Sequence, residues 1–291
     1  MKAYIFPGQG SQYPSMGKEL FENYPLAKEL FKKANQLLGF DIMHIMFNGT
    51  DEELKMTKVT QPAIFLHSVL AYKLLNDGAP NAVAGHSLGE FSALVANETL
   101  SFEDALILVS KRALAMQKAC ELNPSGMAVV MGFDDEKTKE ICTSINEVVV
   151  PANYNCPGQL VISGTFKGIE KATELLKQAG AKRVLPLKVS GAFHSPLMES
   201  AQEELAQAIH TTEFKTPLCP IYQNTTALPA SNPEIIKKNL IAQLTTPVLW
   251  KKTIQNMVND GFDYFIEFGP GEVLQGLVKK IYSEAKTEGK K

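Results

Sequence analysis

Short apolar runs alternate along the chain with longer segments whose apolar residues recur at helical spacing. The run KAYIF at residues 2–6 ends at a Pro-Gly pair, which predicts a buried strand followed by a loop. Residues 18–38 carry helix-like spacing, and we expect Pro25 to divide them into two helices. Residues 60–77 predict a further helix with Pro62 in its first turn. Strands that alternate with helices indicate an α/β fold with a mostly parallel sheet flanked by helices.

A glycine-flanked serine follows the next apolar run. The run AVAG at residues 82–85 leads into Gly-His-Ser-Leu-Gly, which fits the G-x-S-x-G pattern of a nucleophile elbow. Residues 88–97 and 101–121 then predict two helices. In such an elbow Ser87 would stand on a tight turn, and the N–H of Leu88 would face a developing oxyanion. Tight strand-to-helix turns also favour small residues for packing alone, so the motif by itself leaves both interpretations open.

The pattern changes at the turn-forming residues 123–126. Over residues 125–190 the strand and helix patterns follow the order β-α-β-β-α-β, which is typical of a ferredoxin-like unit. We therefore predict a small ferredoxin-like subdomain over 125–190. It would be inserted into a hydrolase-like large α/β catalytic domain formed by residues 1–124 and 191–291. The polar last residues, SEAKTEGKK, are expected to be frayed.

A serine hydroxyl needs a base, and histidine is the usual one. Among the five histidines, His194 follows the last predicted strand of the inserted unit, in a loop of the kind where catalytic residues of α/β proteins gather. His86 adjoins the serine and is expected to contact a ligand or support the site. No acidic residue in a comparable loop completes a hydrolase triad, because Asp134 and Asp135 are expected to start a helix.

Composition narrows the class of protein. The chain is 45% hydrophobic and 21% charged, an ordinary globular balance, and its net charge of −2 gives no sign of nucleic acid binding. No two of the four cysteines form a C-x-x-C pair, which favours free thiols over a metal site. The N-terminus lacks a signal-peptide pattern, and no stretch approaches the ~18 apolar residues of a membrane span. We expect a cytoplasmic protein that binds neither membrane nor nucleic acid.

Five motifs, in one order across nearly the whole chain, resemble those of malonyl-CoA:acyl carrier protein transacylases. They are PGQGSQ at 7–12, GHSLGE at 85–90, KRALAMQ at 111–117, GAFHS at 191–195 and IEFGPGEVLQGLV at 266–278. The resemblance implies malonyl transfer from malonyl-CoA to the phosphopantetheine thiol of acyl carrier protein, through a malonyl-serine intermediate, for fatty acid synthesis. It implies no metal and no cofactor beyond the coenzyme A and phosphopantetheine that the substrates carry.

The resemblance also implies roles for individual residues. Ser87 would be the nucleophile and His194 the base. The backbone carbonyl of Gln243, rather than a carboxylate, would orient the histidine, which would account for the missing acid. The backbone N–H groups of Gln9 and Leu88 would form the oxyanion hole.

Arg112 matches the arginine that binds the substrate carboxylate in that family. The chemistry agrees, because a guanidinium group binds a carboxylate through two parallel hydrogen bonds, and a neutral ester offers no such partner. A solvent-exposed helix arginine is the alternative.

Further residues are expected to line the pocket. Met116 lies four residues after Arg112 and would share its helix face, and His86 and Asn155 would line the same cleft. Phe193, like Leu88, resembles malonyl-selective members of the family, because a phenyl ring would crowd an α-methyl branch.

Other functions stay open from the sequence. A serine esterase or thioesterase, an acyltransferase of a polyketide pathway, and a non-catalytic module that binds carrier protein are the alternatives. Because acyl carrier protein is typically acidic, a basic docking surface is expected. Three groups could form it: Lys182, Arg183 and Lys188; Lys251 and Lys252; or Lys279 and Lys280.

Overall fold

The computed structural model describes all 291 residues. The ten strands are β1 Lys2–Phe6, β2 Ala82–Gly85, β3 Ser125–Met131, β4 Val149–Cys156, β5 Gln159–Thr165, β6 Arg183–Pro186, β7 Ile221–Tyr222, β8 Pro229–Ala230, β9 Tyr264–Phe268 and β10 Lys286–Lys290. The helices are α1 Lys18–Asn23, α2 Pro25–Leu38, α3 Ile42–Asn48, α4 Asp51–Lys55, α5 Thr57–Leu75, α6 Gly89–Ala96, α7 Phe102–Leu122, α8 Asp135–Ser144, α9 Phe166–Gln178, α10 Glu199–Thr211, α11 Pro233–Ala242, α12 Trp250–Asn259 and α13 Val273–Ile281, with a 3₁₀ turn at Pro196–Met198.

Six strands form a large, mostly parallel sheet in the order β10-β9-β1-β2-β7-β8, in which only β7 and β8 pair antiparallel. Alternate residues of β1 face its two sides. Tyr4 and Phe6 belong to the larger apolar core, and Ala3 and Ile5 belong to the core on the opposite face. Burial on both faces explains why the central strands are continuous apolar runs, and the predicted α/β fold is confirmed.

Four strands form a small antiparallel sheet in the order β4-β5-β3-β6. The chain enters it in the order β-α-β-β-α-β, as expected for a ferredoxin-like unit. The predicted boundary residues 125 and 190 fall at the start of β3 and in the segment after β6. Two backbone hydrogen bonds join strand β4 to the segment before α12. The Tyr154 N–H donates to the Val248 carbonyl, and the Val248 N–H donates to the Ala152 carbonyl.

Two local predictions were wrong. The C-terminal residues are not frayed, because Lys286–Lys290 form β10 and pair in parallel with β9 over five residue pairs. A polar sequence suits this position, since an edge strand exposes one side to water. Pro62 lies in the second turn of α5 rather than the first, because that helix already begins at Thr57. The break at Pro25 is where the sequence places it, with the proline as first residue of α2.

None of the helices combines the length and the apolar character needed to cross a lipid bilayer.

Candidate active site

Ser87 stands on a sharp turn between β2 and α6, and its φ of 52° lies in the left-handed region. A Cβ atom on Gly85 would lie 1.9 Å from the backbone carbon of Gly89, and one on Gly89 would lie 2.0 Å from the carbonyl oxygen of Phe6. Both motif glycines are therefore required by close backbone packing. A serine in this conformation costs about 1–3 kcal/mol, and such strain clusters at functional sites.

The loop that carries His194 is fixed by hydrogen bonds to its backbone. The Ala192 N–H donates to Oγ of Ser125 over 3.0 Å, and the Ser195 hydroxyl donates to the Ala192 carbonyl over 2.6 Å. Within this loop His194 also adopts a left-handed φ, of 56°, and its side chain is buried. Ser87 and His194 thus both occupy strained backbone positions that the surrounding structure holds in place.

The side chains of Ser87 and His194 are in direct contact. The Oγ atom of Ser87 lies 2.8 Å from Nε2 of His194, and Nδ1 of His194 lies 2.8 Å from the backbone carbonyl oxygen of Gln243. A carbonyl can only accept, so Nδ1 carries the proton and Nε2 is free to accept the one from the serine. Asp134 instead caps α8, with its side chain accepting from the Lys137 N–H.

Arg112 projects from the buried face of α7, whose N-terminus is capped by Ser101. Its Nη2 atom donates to Ser87 Oγ over 2.9 Å and to Gln243 Oε1 over 3.1 Å, and its Nη1 atom donates to Gln61 Oε1 over 2.7 Å. Arg112 is only 1% exposed, so the interpretation as a solvent-exposed helix residue is wrong.

No carboxylate forms an ion pair with this guanidinium group. Burial lowers the pKa of Arg112 to about 10, partly offset by the nearby Glu90, so the side chain remains cationic at neutral pH. A buried cation without an anionic partner is costly. The arrangement is therefore suited to an anionic group that enters from the cleft.

The histidine is neutral in this setting. Burial and the positive charge of Arg112 lower the pKa of His194 to about 3, against the opposing effect of the Gln243 carbonyl. A neutral imidazole with a free Nε2 is the form that can act as a base.

The loop after β1 lies against the elbow. A Cβ atom on Gly8 would come within 2.4 Å of the His86 carbonyl oxygen, so only glycine allows this approach. The backbone N–H groups of Gln9 and Leu88 donate to no acceptor within the protein. Both residues line the same cleft as Ser87, so these two N–H groups are free to receive a negatively charged oxygen.

The cleft has a volume of about 270 Å³ and lies between the loops of the large sheet and the strands β3 to β5 of the small sheet. Every predicted site residue except Gln243 lines it: Gln9, His86, Ser87, Leu88, Arg112, Met116, Asn155, Phe193 and His194. Gln243 is fully buried behind the cleft and reaches the site through His194 and Arg112. The pair of His86 and Asn155 joins the two sheets, with His86 Nε2 3.0 Å from Asn155 Oδ1.

Three buried polar residues of this site were not singled out from the sequence: Gln61, Glu90 and Asn224. Gln61 holds Arg112 and also donates to Sδ of Met116 over 3.3 Å. Asn224 accepts the Ser87 N–H at the elbow, and the Glu90 side chain accepts the backbone N–H of Asn224. The available signal was a polar residue within a largely apolar helix, which Gln61 and Glu90 both give.

Comparison with known proteins agrees with this geometry. The chain matches the model of the acyl transferase domain family over residues 3–291. It is 44% identical over 290 residues to a malonyl CoA-acyl carrier protein transacylase of Bacillus subtilis, across 98% of this chain and 92% of the relative.

Solved structures extend the similarity to the fold. An acyl carrier protein S-malonyltransferase from Vibrio cholerae has a TM-score of 0.94 at 39% identity, covering 99% of this chain and 96% of that chain. A malonyl-transacylase solved in complex with a type II PKS acyl-carrier protein has a TM-score of 0.93 at 37% identity, covering 99% of this chain and 94% of that chain. The chain therefore belongs to the malonyl CoA-acyl carrier protein transacylase family.

Proposed function

We propose that the protein transfers a malonyl group from malonyl-CoA to the phosphopantetheine thiol of acyl carrier protein, through a malonyl ester on Ser87, to supply extender units for fatty acid synthesis. The observation that carries the proposal is the pair of contacts made by Ser87 Oγ, one to the neutral His194 and one to the buried Arg112. The histidine can activate the hydroxyl, and the guanidinium group favours an acyl chain that ends in a carboxylate.

The first half-reaction forms the ester. Ser87 Oγ attacks the thioester carbonyl while His194 Nε2 takes the hydroxyl proton, and the carbonyl electron pair moves onto oxygen. The N–H groups of Gln9 and Leu88 stabilise that oxyanion. When the tetrahedral intermediate collapses, the carbon–sulfur bond breaks and His194 returns its proton to the departing sulfur of coenzyme A. The Gln243 carbonyl keeps the imidazole oriented throughout.

The substrate carboxylate would change the electrostatics of the base. Arg112 lowers the pKa of His194, and a bound carboxylate would offset that positive charge. The pKa of His194 would then rise, so the imidazole would become a stronger base when a malonyl group is in place. An acetyl group would bring no such compensation.

The second half-reaction reverses the first with a different thiol. His194 takes a proton from the phosphopantetheine thiol, whose sulfur attacks the ester carbonyl, and the serine oxygen leaves and is reprotonated. The two-step exchange predicts ping-pong kinetics. The proposed cycle uses no metal or redox cofactor.

A basic surface beside the cleft is the proposed docking area for the carrier protein. Of the three predicted groups, the one formed by Lys182, Arg183 and Lys188 around β6 is favoured because Lys188 lines the cleft. Lys251 is instead paired with Asp135. We also propose a cytoplasmic location, which is supported by four cysteines that are all free thiols.

The test is the intact mass of the protein after mixing with malonyl-CoA. We expect a single malonyl adduct that maps to Ser87 and is absent from the Ser87→Ala variant. An unmodified protein that still transfers malonyl groups would contradict the proposed intermediate. Faster release of free malonate than of malonyl-carrier protein would favour a thioesterase instead. Comparing carrier proteins of fatty acid and polyketide systems as acceptors would separate those two pathways.

A further inference from the structure

Buried side-chain amides hold both backbone polar groups of the nucleophile residue. The Ser87 N–H donates to Oδ1 of Asn224 over 2.6 Å, and the Ser87 carbonyl accepts from Nε2 of Gln243 over 3.1 Å. Asn224 and Gln243 are both fully buried. The Ser87 carbonyl also accepts locally from the Glu90 N–H over 3.1 Å, whereas the Ser87 N–H has only the Asn224 side chain as its acceptor. Side chains from elsewhere in the chain therefore add to the local bond that forms the turn at Ser87.

Asn224 is itself held at all four of its polar atoms. Its Nδ2 donates to the Gly85 carbonyl over 2.6 Å, and its backbone N–H donates to the side-chain carboxyl group of Glu90. Its carbonyl accepts from the Leu249 N–H over 3.0 Å. The amide therefore bridges the residues before and at the elbow from a rigid position.

The sheet explains this placement. Strand β7 is the parallel neighbour of β2, with Tyr222 opposite Ala84. Ser87 and Asn224 each lie two residues after the end of their strand, so both emerge at the same edge of the sheet. The contact follows from strand order and register rather than from nearness in sequence.

Glu90 adds a second unusual feature. It is buried in the first turn of α6, its Oε1 accepts the Asn224 N–H, and its Oε2 has no partner. Burial raises the pKa of Glu90 to about 8, against the opposing effect of the Asn224 N–H. A buried carboxyl group is costly unless a specific contact requires it. The contact it makes here is with the residue that holds the nucleophile.

We propose that Asn224, seated by Glu90, is a positioning residue that keeps Ser87 in its left-handed conformation. In that conformation Ser87 Oγ reaches both of its side-chain partners. Asn224 also accepts the hydrogen bond of the Ser87 N–H. The Leu88 N–H, rather than that of Ser87, is therefore the one available to the oxyanion. The inference rests on the proposed function only in taking Ser87 as the nucleophile.

The Asn224→Leu variant tests this role, because leucine has a similar size and cannot hydrogen bond. The matched control is Asn97→Leu. Asn97 is also buried, and its side chain also joins two backbone segments, accepting from the Thr99 N–H and donating to the Cys219 carbonyl, outside the cleft. The readout is the rate at which a small fluorophosphonate labels Ser87, measured by intact mass, beside the thermal midpoint.

We expect Asn224→Leu to slow labelling about 100-fold, a loss typical of a misplaced catalytic constellation. Asn97→Leu should lower the thermal midpoint comparably and leave labelling within about threefold. With malonyl-CoA and acetyl-CoA the acylation rate constant should fall by the same factor while the concentration for half-maximal rate is unchanged. Labelling of Asn224→Leu within about threefold of the parent, or an equal loss in the control, would overturn the proposal.

A second pair of variants decides the matter if Asn224→Leu does not fold. Glu90→Gln keeps an oxygen acceptor for the Asn224 N–H and should label within about threefold of the parent rate, whereas Glu90→Leu removes it and should label about tenfold more slowly. Equal rates for the two variants would contradict the proposal. Fluorophosphonate needs no carboxylate and no carrier protein. A parent protein that labels but forms no malonyl adduct would therefore refute the proposed function and leave the ranking of these variants intact.

Discussion

The two sheets contribute differently to the cleft. The loops at the large sheet carry the elbow, and the segments packed around it supply the histidine and the arginine. The small sheet supplies wall residues such as Met127, Asn155 and Val161. Strand β3 of the small sheet faces two cores. Ala128 and Val130 pack in the core of the small sheet, and Met127 joins the core of the large sheet. Chemistry is thus concentrated on one side of the cleft, and access is shaped by the other.

The difference predicts where variants act. Changes at the elbow side should lower the rate of acyl transfer itself, whatever the thiol. Changes on the small sheet should alter how a substrate or carrier approaches, and leave the bond-making step intact.

The largest effect is expected for the base. His194→Ala should lower acylation by malonyl-CoA by about 10³–10⁴-fold, because Ser87 loses the group that accepts its proton. Rapid-quench mass measurement of the acyl-enzyme checks this. The control is His210→Ala, at the end of α10, which should keep the parent rate. A loss of less than about tenfold in His194→Ala would show that another group takes the proton.

Arg112→Ala should affect malonyl transfer and acetyl transfer differently. Malonyl transfer is expected to fall about 100-fold or more, because a buried charge-assisted contact is lost, while acetyl transfer is kept or raised. Lys118→Ala is the control on the same helix, since Lys118 is exposed and pairs only with Glu204 at the surface. Equal losses for malonyl-CoA and acetyl-CoA would remove Arg112 from the carboxylate-binding role.

The acid limb of the pH–rate profile depends on the pKa of His194, the proposed base. Burial and then Arg112 lower the pKa of His194, so the neutral, active form should persist well below pH 6.5 in the free enzyme. With acetyl-CoA as substrate, Arg112→Met should move the acid limb of kcat/KM to higher pH, because the positive charge is gone. A limb that stays in place would show that the charge of Arg112 does not act on the histidine.

The smallest effect is expected from the docking group at the small sheet. Charge reversal to Glu at Lys182, Arg183 and Lys188 together should raise the KM for acyl carrier protein about tenfold at low salt, and less at high salt. Acylation by a small malonyl thioester without a nucleotide should be unchanged. Reversal at Lys279 and Lys280 serves as the comparison. A slower acylation step in the first variant would mean that the two sides of the cleft are not separable.

The sequence predicts those features that are carried by local patterns. Apolar runs mark β1 and β2 because both strands are buried on two faces, and the glycines around Ser87 mark the elbow because no larger residue fits. The order of elements predicts the small sheet. The resemblance of the five motifs to a known family implies which residues meet in the cleft.

Other features depend on contacts between distant segments, and local patterns do not carry them. Strand β10 is polar and forms only by pairing with β9, so its sequence resembles that of a loose end. Asn224 reaches Ser87 because β7 lies beside β2. Strand β7 has only two residues, so the sequence pattern does not predict this pairing. The contacts of Arg112 with Gln61 and Gln243 likewise join residues that are distant in the sequence.

The most direct test of the account is the fate of the isolated malonyl-enzyme. Protein acylated with malonyl-CoA and freed of excess substrate is divided between buffer and holo acyl carrier protein, and intact mass follows both partners. We predict that the adduct leaves Ser87 rapidly when the carrier is present, reappears on the carrier's thiol, and persists in buffer alone. Equal loss in both samples, with free malonate and no malonyl-carrier protein, would contradict it.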